Sequence, residues 1–490
     1  MTTTVGDAAA KGSAERASHG RAMLAPTGER AGRANRTALG EDARATAPLE
    51  SHADVGPDDA RDPVALLLTQ APSRVPELVP IRHGRMLVSP FTYFRGAALP
   101  MAADLAATPV SGLRVQLSGD AHLLNFGAFA SPERSLVFDL NDFDETLPGP
   151  FEWDVKRLAA SFVIAGRDIG FSAKAQRTAA AAAAERYRTA MQDFAGQPVM
   201  GVWNARLNVK QDIEQFKSMI KARQLKAAEA RLAKARTRDS MQALGKLTTL
   251  VDGQRRIISA PPTTVPIEEL FSDVQADAIY GLVNTMLARY RHSMQSDRRH
   301  LLDQFSVERV ARKVVGVGSV GTRAWIVLLT AGDGEEPLFL QVKEAQPSVL
   351  ASYCGRSEYS NQGERVVAGQ RLMQAASDIF LGWTRSRGPA DAAERDYYVR
   401  QLRDWKFSVP IERMRPLSMT LYARMCGWTL ARAHARSGDR VAIAAYLGGS
   451  DAFDQAIVDF AEAYADRNER DFAAFREAAE HSRIDAVRGV

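Results

Sequence analysis

Cysteine is nearly missing: Cys354 and Cys426 are the only two in 490 residues, which excludes a disulfide framework and any zinc centre of four thiolates. No apolar run approaches the ~20 residues that crossing a bilayer requires. The N-terminus places Asp7, Lys11, Glu15 and Arg16 ahead of any hydrophobic stretch, so no secretory leader is expected. Together these absences predict a cytoplasmic protein without a membrane partner. A large charge excess is missing too: 63 basic residues against 58 acidic ones leave +5, a balance that suits a polyanionic ligand but implies no nucleic acid. Aromatic and large aliphatic residues are almost wanting in residues 1–62, which are rich in Ala, Gly, Thr, Arg and Asp. Such a segment cannot bury enough surface to offset its ordering entropy, and a disordered tail is expected there.

What is present describes a folded chain. Hydrophobic residues make up 46% and charged residues 25%, the usage of a globular protein, and the length predicts two or three compact units. Folding should begin near Pro63, where Val64, Leu66, Leu67 and Leu68 start a helical pattern. Residues 82–145 read as strands and loops, because short apolar runs alternate with Gly, Pro, Ser and Asn. Residues 153–192 read as helix, with an alanine run at 179–184 of high helix propensity. Residues 210–246 hold ten Lys or Arg against four Asp or Glu at helical spacing, which reads as a solvated basic face. From 312 to 343 the pattern turns β-branched and alternating, a hairpin followed by a third strand, and 362–377 and most of 419–479 are helical again. The expected units are 63–200, a basic helical connector at 201–305, a β unit at 306–410, and C-terminal helices at 411–490.

Two segments carry chemistry. The first is Ser118-Gly119-Asp120-Ala121-His122-Leu123-Leu124-Asn125, where a loop can aim the acid Asp120 and the amide of Asn125 at one point. It is followed by Asp139-Leu140-Asn141-Asp142-Phe143-Asp144-Glu145. Four acids within seven residues repel one another unless a cation sits among them, and hard oxygen donors suit magnesium or manganese. Individually, Asp and Asn are common turn formers, and a lone His122 is ordinarily structural. The second segment is Val314-Val315-Gly316-Val317-Gly318-Ser319-Val320-Gly321, a G-x-G-x-x-G element whose backbone amides can approach phosphates. In a dinucleotide-binding fold it would open a helix; here Ala324-Trp325-Ile326-Val327 follows, which is strand-like. Lys343 then sits on the third strand, with Leu338, Leu340 and Val342 alternating to the opposite face. That is the order of a kinase nucleotide clamp.

These segments, with Arg85-Met86, Ser89-Pro90-Phe91, Phe94-Arg95-Gly96, Trp153-Asp154-Val155-Lys156-Arg157-Leu158, Lys343-Glu344-Ala345, Arg365-Val366-Val367, Gly369-Gln370-Arg371 and Tyr464-Ala465-Asp466, are similar, across roughly residues 75 to 480, to the bacterial family catalogued as domain of unknown function 2252. The resemblance implies no activity. A second resemblance is to aminoglycoside phosphotransferases and choline kinases, whose catalytic loop reads His-Gly-Asp-x-His-x-x-Asn. It implies that Asp120 accepts the substrate proton beside His122, that Asn125 and Asp142, with Asp144, hold metal, and that Gly316, Gly318, Ser319, Gly321 and Lys343 hold the nucleotide. Asp154 matches that family's later acid at a helix. Glu358 or Glu364 is expected to orient Lys343.

Ser118 replaces the first histidine and Asp144 a kinase glycine, and the order is swapped, with the catalytic loop ahead of the glycine turn. The implied fold is therefore α+β, two-lobed and protein-kinase-like but circularly permuted, with a small antiparallel β lobe and a mainly helical lobe. Under that permutation Leu430-Ala431-Arg432-Ala433-His434-Ala435 resembles the helix that normally precedes the catalytic loop. The expected function is ATP- and Mg2+-dependent phosphotransfer, Mn2+ also fitting, to a hydroxyl acceptor that is either a small molecule or a protein. Alternatives are a nucleotide-binding regulator without catalysis, transfer of AMP by the same residues, and a metal-dependent phosphohydrolase. Arg82, Arg85 and Arg95 are placed either for an anionic substrate or for structural pairing. The sequence does not specify an oligomeric state.

Overall fold

The computed structural model describes residues 32–58, 61–208, 240–314, 316–332, 334, 336–387, 393–402, 405 and 409–489. Helix α1 (Arg33–Thr46) is followed by short helices at Pro63–Leu68, Val79–Met86, Pro90–Gly96 (α2) and Ala98–Leu105. Strands β1 (Arg114–Leu117), β2 (Phe126–Ala130), β3 (Leu136–Leu140) and β4 (Leu147–Pro150) lead into the long helices α3 (Phe151–Asp168) and α4 (Ala173–Gly196). After β5 (Leu207–Asn208) come a helix at Ser240–Leu247, the hairpin β6 (Thr248–Val251) and β7 (Gln254–Ile257), β8 (Thr264–Pro266) and α5 (Asp273–Tyr290). The chain then forms β9 (Ser306–Lys313), β10 (Ala324–Ala331), β11 (Glu336–Ala345), α6 (Gln362–Met373), β12 (Gly382–Arg387) and β13 (Glu394–Gln401). It finishes with α7 (Pro416–Ser437), α8 (Arg440–Leu447) and α9 (Ala452–Glu480). The protein is thus α+β, and its paired strands are antiparallel.

One core joins α3, α4, α7 and α9 to the short strands β1–β4 through residues such as Phe162, Tyr187, Leu430 and Phe460. The alanine run of α4 does more than favour helix: Ala179, Ala180, Ala182, Ala183 and Ala184 are all buried, and α7 approaches so closely that a Cβ on Gly427 would lie 2.3 Å from the Ala183 carbonyl. Small residues on facing helices allow backbones this near. A second core lies under a six-stranded sheet of order β12-β13-β11-β10-β9-β8, where α5 packs Ile279, Val283, Met286 and Tyr290 against Leu338, Leu340, Val342 and Val399. Period-two alternation puts Lys343 on the opposite face, paired across the ladder with Ala324 and Tyr398.

Three expectations need correction. The tail expected at 1–62 is folded from α1 onward: Arg36 makes an ion pair with Asp439 at 2.6 Å, Arg44 donates to the Tyr446 and Ala445 carbonyls, and Gly40 lets the helix meet the Ala442 backbone. Arginines and glycine, not large apolar residues, dock this helix, so a composition argument misses it; residues 1–31 lie outside those described. Residues 82–105, read as strands and loops, are helical because Pro80 and Pro90 stand at helix starts, where a missing N–H costs nothing. Ser89 completes a capping box with Thr92. The connector expected at 201–305 supplies β8 and α5 to the sheet, and most of the basic stretch at 210–246 lies outside the described residues.

Candidate functional site

β1 ends in a loop at residues 118–125 whose backbone is gripped from α3. Asp154, buried in the first turns of that helix, accepts from the Ser118 N–H at 2.7 Å and the Gly119 N–H at 3.0 Å. His434 of α7 places Nε2 at 3.2 Å from the same carboxylate, and its Nδ1 meets the Tyr187 hydroxyl at 2.8 Å. Gly119 has φ +82°, and a Cβ there would sit 2.4 Å from the Glu145 carbonyl, so only glycine fits. One helical turn beyond Asp154, Arg157 donates to Asp120 Oδ1 at 2.8 Å through Nε, and to the Phe94 carbonyl at 2.8 Å. Asp120 Oδ2 faces His122 Nε2 at 3.8 Å. Burial raises the Asp120 carboxyl above its ordinary range, with Arg157 pulling the other way. Burial beside Arg95 and Arg157 pushes His122 well below its usual value, and its Nδ1 accepts from the Leu124 N–H at 3.2 Å, so a neutral ring caps the turn.

The acids after β3 divide by partner. Asp139 is a structural acid, paired with buried Arg432. Asp144 receives Lys343 Nζ at 2.5 Å, the Tyr398 hydroxyl at 2.7 Å and Ser319 Oγ at 3.1 Å. Burial alone would raise the Asp144 carboxyl; the Lys343 ammonium and these hydrogen bonds bring it down to about 2. Reciprocally, burial opposes the Lys343 ammonium while Asp144 raises it above the ordinary lysine range. Asp142 accepts the Asp144 N–H at 3.2 Å through Oδ1, and burial, with Asp144 beside it, raises its carboxyl. The cations in direct contact with the acid cluster are therefore Arg432 and Lys343, Arg400 and Arg365 act on it at longer range, and Asp142 has neither Arg432 nor Lys343 in direct contact.

The glycine turn joins β9 to β10 rather than opening a helix. Gly316 and Gly321 hold φ of +68° and +92°. Arg85 donates to the Gly316 carbonyl at 2.7 Å and Arg74 to the Gly318 and Val320 carbonyls, so the segment before β1 straps the turn in place. Asp120, His122, Asn125, Asp142, Asp144, Gly316, Gly318 and Ser319 all line one cleft of about 1260 Å³, and Lys343 reaches it through Asp144. Gly321 packs behind, against Arg74.

Besides Gly321, one further predicted member is not brought in. Glu364 stands in the first turn of α6, where its N–H is capped by Asn361 Oδ1 at 3.1 Å, and the carboxylate that meets Lys343 is Asp144 rather than Glu358 or Glu364. From α6 it is Arg365 that reaches the site, donating to the Asp144, Thr146 and Gln346 carbonyls at 2.9, 2.7 and 2.8 Å. Sequence reasoning missed Arg365, Tyr398 and Arg157. Arg157 and Arg365 both stood in segments that carry the family resemblance, without an assigned role, and Arg157 also lies three positions after Asp154 on one helical face; Tyr398 carried no signal.

Among the described residues no group of three or more His, Cys, Asp or Glu side chains converges as a metal cage. The donors available are Asn125, whose Nδ2 is committed to the Asp120 carbonyl at 2.8 Å and so leaves Oδ1 for the cleft, and Asp142. Two protein donors of this kind fit a magnesium ion completed by phosphate oxygens and water, not a protein-only cage. Asp142→Asn is expected to stabilise the ligand-free protein near neutral pH by on the order of 1 kcal/mol. The substitution removes a disfavoured buried charge, and Asn keeps the acceptor for the Asp144 N–H. A raised carboxyl costs stability above its folded pKa and none once protonated, so the gain should fade on acidification. Thermal melts from pH 5 to 8 check this; a lower melting temperature throughout would contradict it.

The sequence profile of a family described as "Uncharacterized protein conserved in bacteria (DUF2252)" matches residues 74–478. No curated protein and no solved structure matches the chain.

Proposed function

The chain belongs to the bacterial DUF2252 family, whose description names no activity, and from its cleft we propose that it is an ATP- and Mg2+-dependent phosphotransferase with a permuted kinase-like fold. One observation carries the reading: Asp120, Asn125, Asp142, Asp144 and the glycine turn, separated by up to two hundred residues of sequence, line a single cleft in which Asp144 holds Lys343. Strand, glycine turn, strand, lysine strand and helix follow one another as in the kinase clamp. The swapped order has support as well. The end of α7 lies against the start of β1, where Ser437 Oγ accepts the Gln116 N–H at 3.2 Å, so the helix expected to precede the catalytic loop abuts it in space.

On this reading Lys343 and the amides of the turn hold the nucleotide phosphates, while Asn125 and Asp142 offer oxygen donors to magnesium, which neutralises phosphate charge. Asp120, fixed by Arg157, orients the attacking hydroxyl and takes its proton. The work is positioning and charge neutralisation rather than covalent chemistry. A non-hydrolysable ATP analogue with Mg2+ should raise the melting temperature, and a ligand at a hundred times its Kd adds about 2.7 kcal/mol. Lys343→Ala should remove most of that gain. Absence of any magnesium-dependent stabilisation by ATP, GTP or their analogues overturns the proposal. Label transferred from the γ-phosphate rather than the α-phosphate distinguishes phosphoryl from AMP transfer.

A further inference from the structure

Three guanidiniums line the cleft from the segment that precedes β1: Arg74, Arg82 and Arg95. Arg74 and Arg82 are only 7% and 2% exposed, yet none of the three lies within ion-pair distance of a carboxylate among the described residues. Arg82 Nη2 is held at 2.9 Å by both Gln70 Oε1 and the Gly96 carbonyl, and Arg74 by carbonyls of the glycine turn. The Arg95 side chain has no hydrogen-bond partner among the described residues, and the Nε of all three arginines is buried without one. Burial draws Arg74 down to about 10 against the pull of Glu145, Glu344 and Asp144, lowers Arg82, and lowers Arg95 against Asp120, Glu412 and Asp142.

The backbone at Arg95 is fixed by its surroundings. It follows Phe94 on α2, whose carbonyl accepts from Arg157 and whose ring lies 3.9 Å beneath that guanidinium, so it is indexed to the same arginine that holds Asp120. Its own carbonyl lies 3.2 Å from where a Cβ on Gly318 would sit. Buried cations held only by neutral acceptors, without a direct ion pair, gain from an anion that joins them. Buried Arg74 and Arg82 with half-buried Arg95 facing one space match a doubly charged oxyanion better than a single carboxylate. The nucleotide phosphates already have Lys343 and the turn.

The geometry points to a second anion subsite beside Asp120, in which Arg95, backed by Arg74 and Arg82, holds the phosphate group of a small hydroxyl-bearing acceptor. The hydroxyl rests on the phosphotransferase reading; the anion does not. The test is calorimetric titration of the full chain with inorganic phosphate, with and without a saturating non-hydrolysable ATP analogue and Mg2+, for wild type, Arg95→Gln and Arg95→Lys. Saturable phosphate binding to the nucleotide-loaded protein is expected. Arg95→Gln should weaken it about tenfold or more and Arg95→Lys less, while nucleotide affinity changes by under about twofold. Because the Arg95 side chain bonds to none of the described residues, Arg95→Gln should melt no lower than wild type. Competition between phosphate and the analogue, or equal loss of both in Arg95→Gln, overturns the subsite and gives Arg95 to the nucleotide. Nucleotide binding without phosphate binding also overturns it. Phosphate binding that needs Arg95 in a protein that binds no nucleotide upholds the subsite and defeats the phosphotransferase reading.

Discussion

If the cleft is the phosphotransferase site proposed above, Asp120→Asn should cut phosphoryl transfer by about 10² to 10⁴ while nucleotide-induced stabilisation survives. The side chain is split between two tasks: Oδ1 is committed to Arg157, while Oδ2, which faces the neutral His122 ring at 3.8 Å, is left for an acceptor hydroxyl. Asn keeps an oxygen for Arg157 and loses the basic one. Burial raises the carboxyl, which moves it toward working pH and makes it a better proton acceptor than a solvated aspartate. Nucleotide affinity is left alone, because Lys343 and the glycine turn sit on other elements. Two measurements check this, steady-state transfer of γ-label and the melting shift with a non-hydrolysable analogue and Mg2+. Unchanged turnover rejects the role, and loss of the melting shift together with turnover assigns Asp120 to binding.

The parts of the site legible in the sequence were those whose chemistry depends on local order. The turn at residues 316–321 needed glycines at positive φ, the alternation of Leu338, Leu340 and Val342 fixed the face of Lys343, and Asp120 and Asn125 shared one loop. The partners were not legible because they are set by three-dimensional register. Tyr398 meets Asp144 only because β13 pairs with β11, with Lys343 opposite Tyr398, and no spacing announces that strand order. Arg365 stood in a resembling segment, but its role was hidden for a similar reason: its targets are backbone carbonyls, which leave no complementary residue type to find. Glu364 was chosen on charge and helix position, and Asp144, already present in the acid cluster, took its place. The N-terminal helix α1 was lost to composition, since Arg36, Gly40 and Arg44 dock it through specific polar contacts and close approach.

The largest stability effect should come from a pair that never touches the cleft. Arg432 and Asp139 are each 1% exposed. Arg432 also donates to the Met373 carbonyl at 2.6 Å, and Asp139 Oδ2 accepts the Ala375 N–H at 2.9 Å, so one ion pair joins α7, the end of α6 and β3 directly behind the acid cluster. Arg432→Met removes the cation and strands a carboxylate that burial already pushes upward, a change worth about 3–5 kcal/mol of stability. Asp139→Asn added to Arg432→Met should recover much of that loss, because the double variant has no charge left to bury while Asn still accepts from the Ala375 N–H. The sign of the pH effect follows from the same charge. In Arg432→Met alone the stranded Asp139 titrates at a raised pKa, so its penalty is full at alkaline pH and shrinks as acidification protonates it. Urea unfolding at pH 5 and pH 8 measures both claims, and equal losses at the two pH values, or a double variant as unstable as the single one, would mean that packing rather than charge sets the cost.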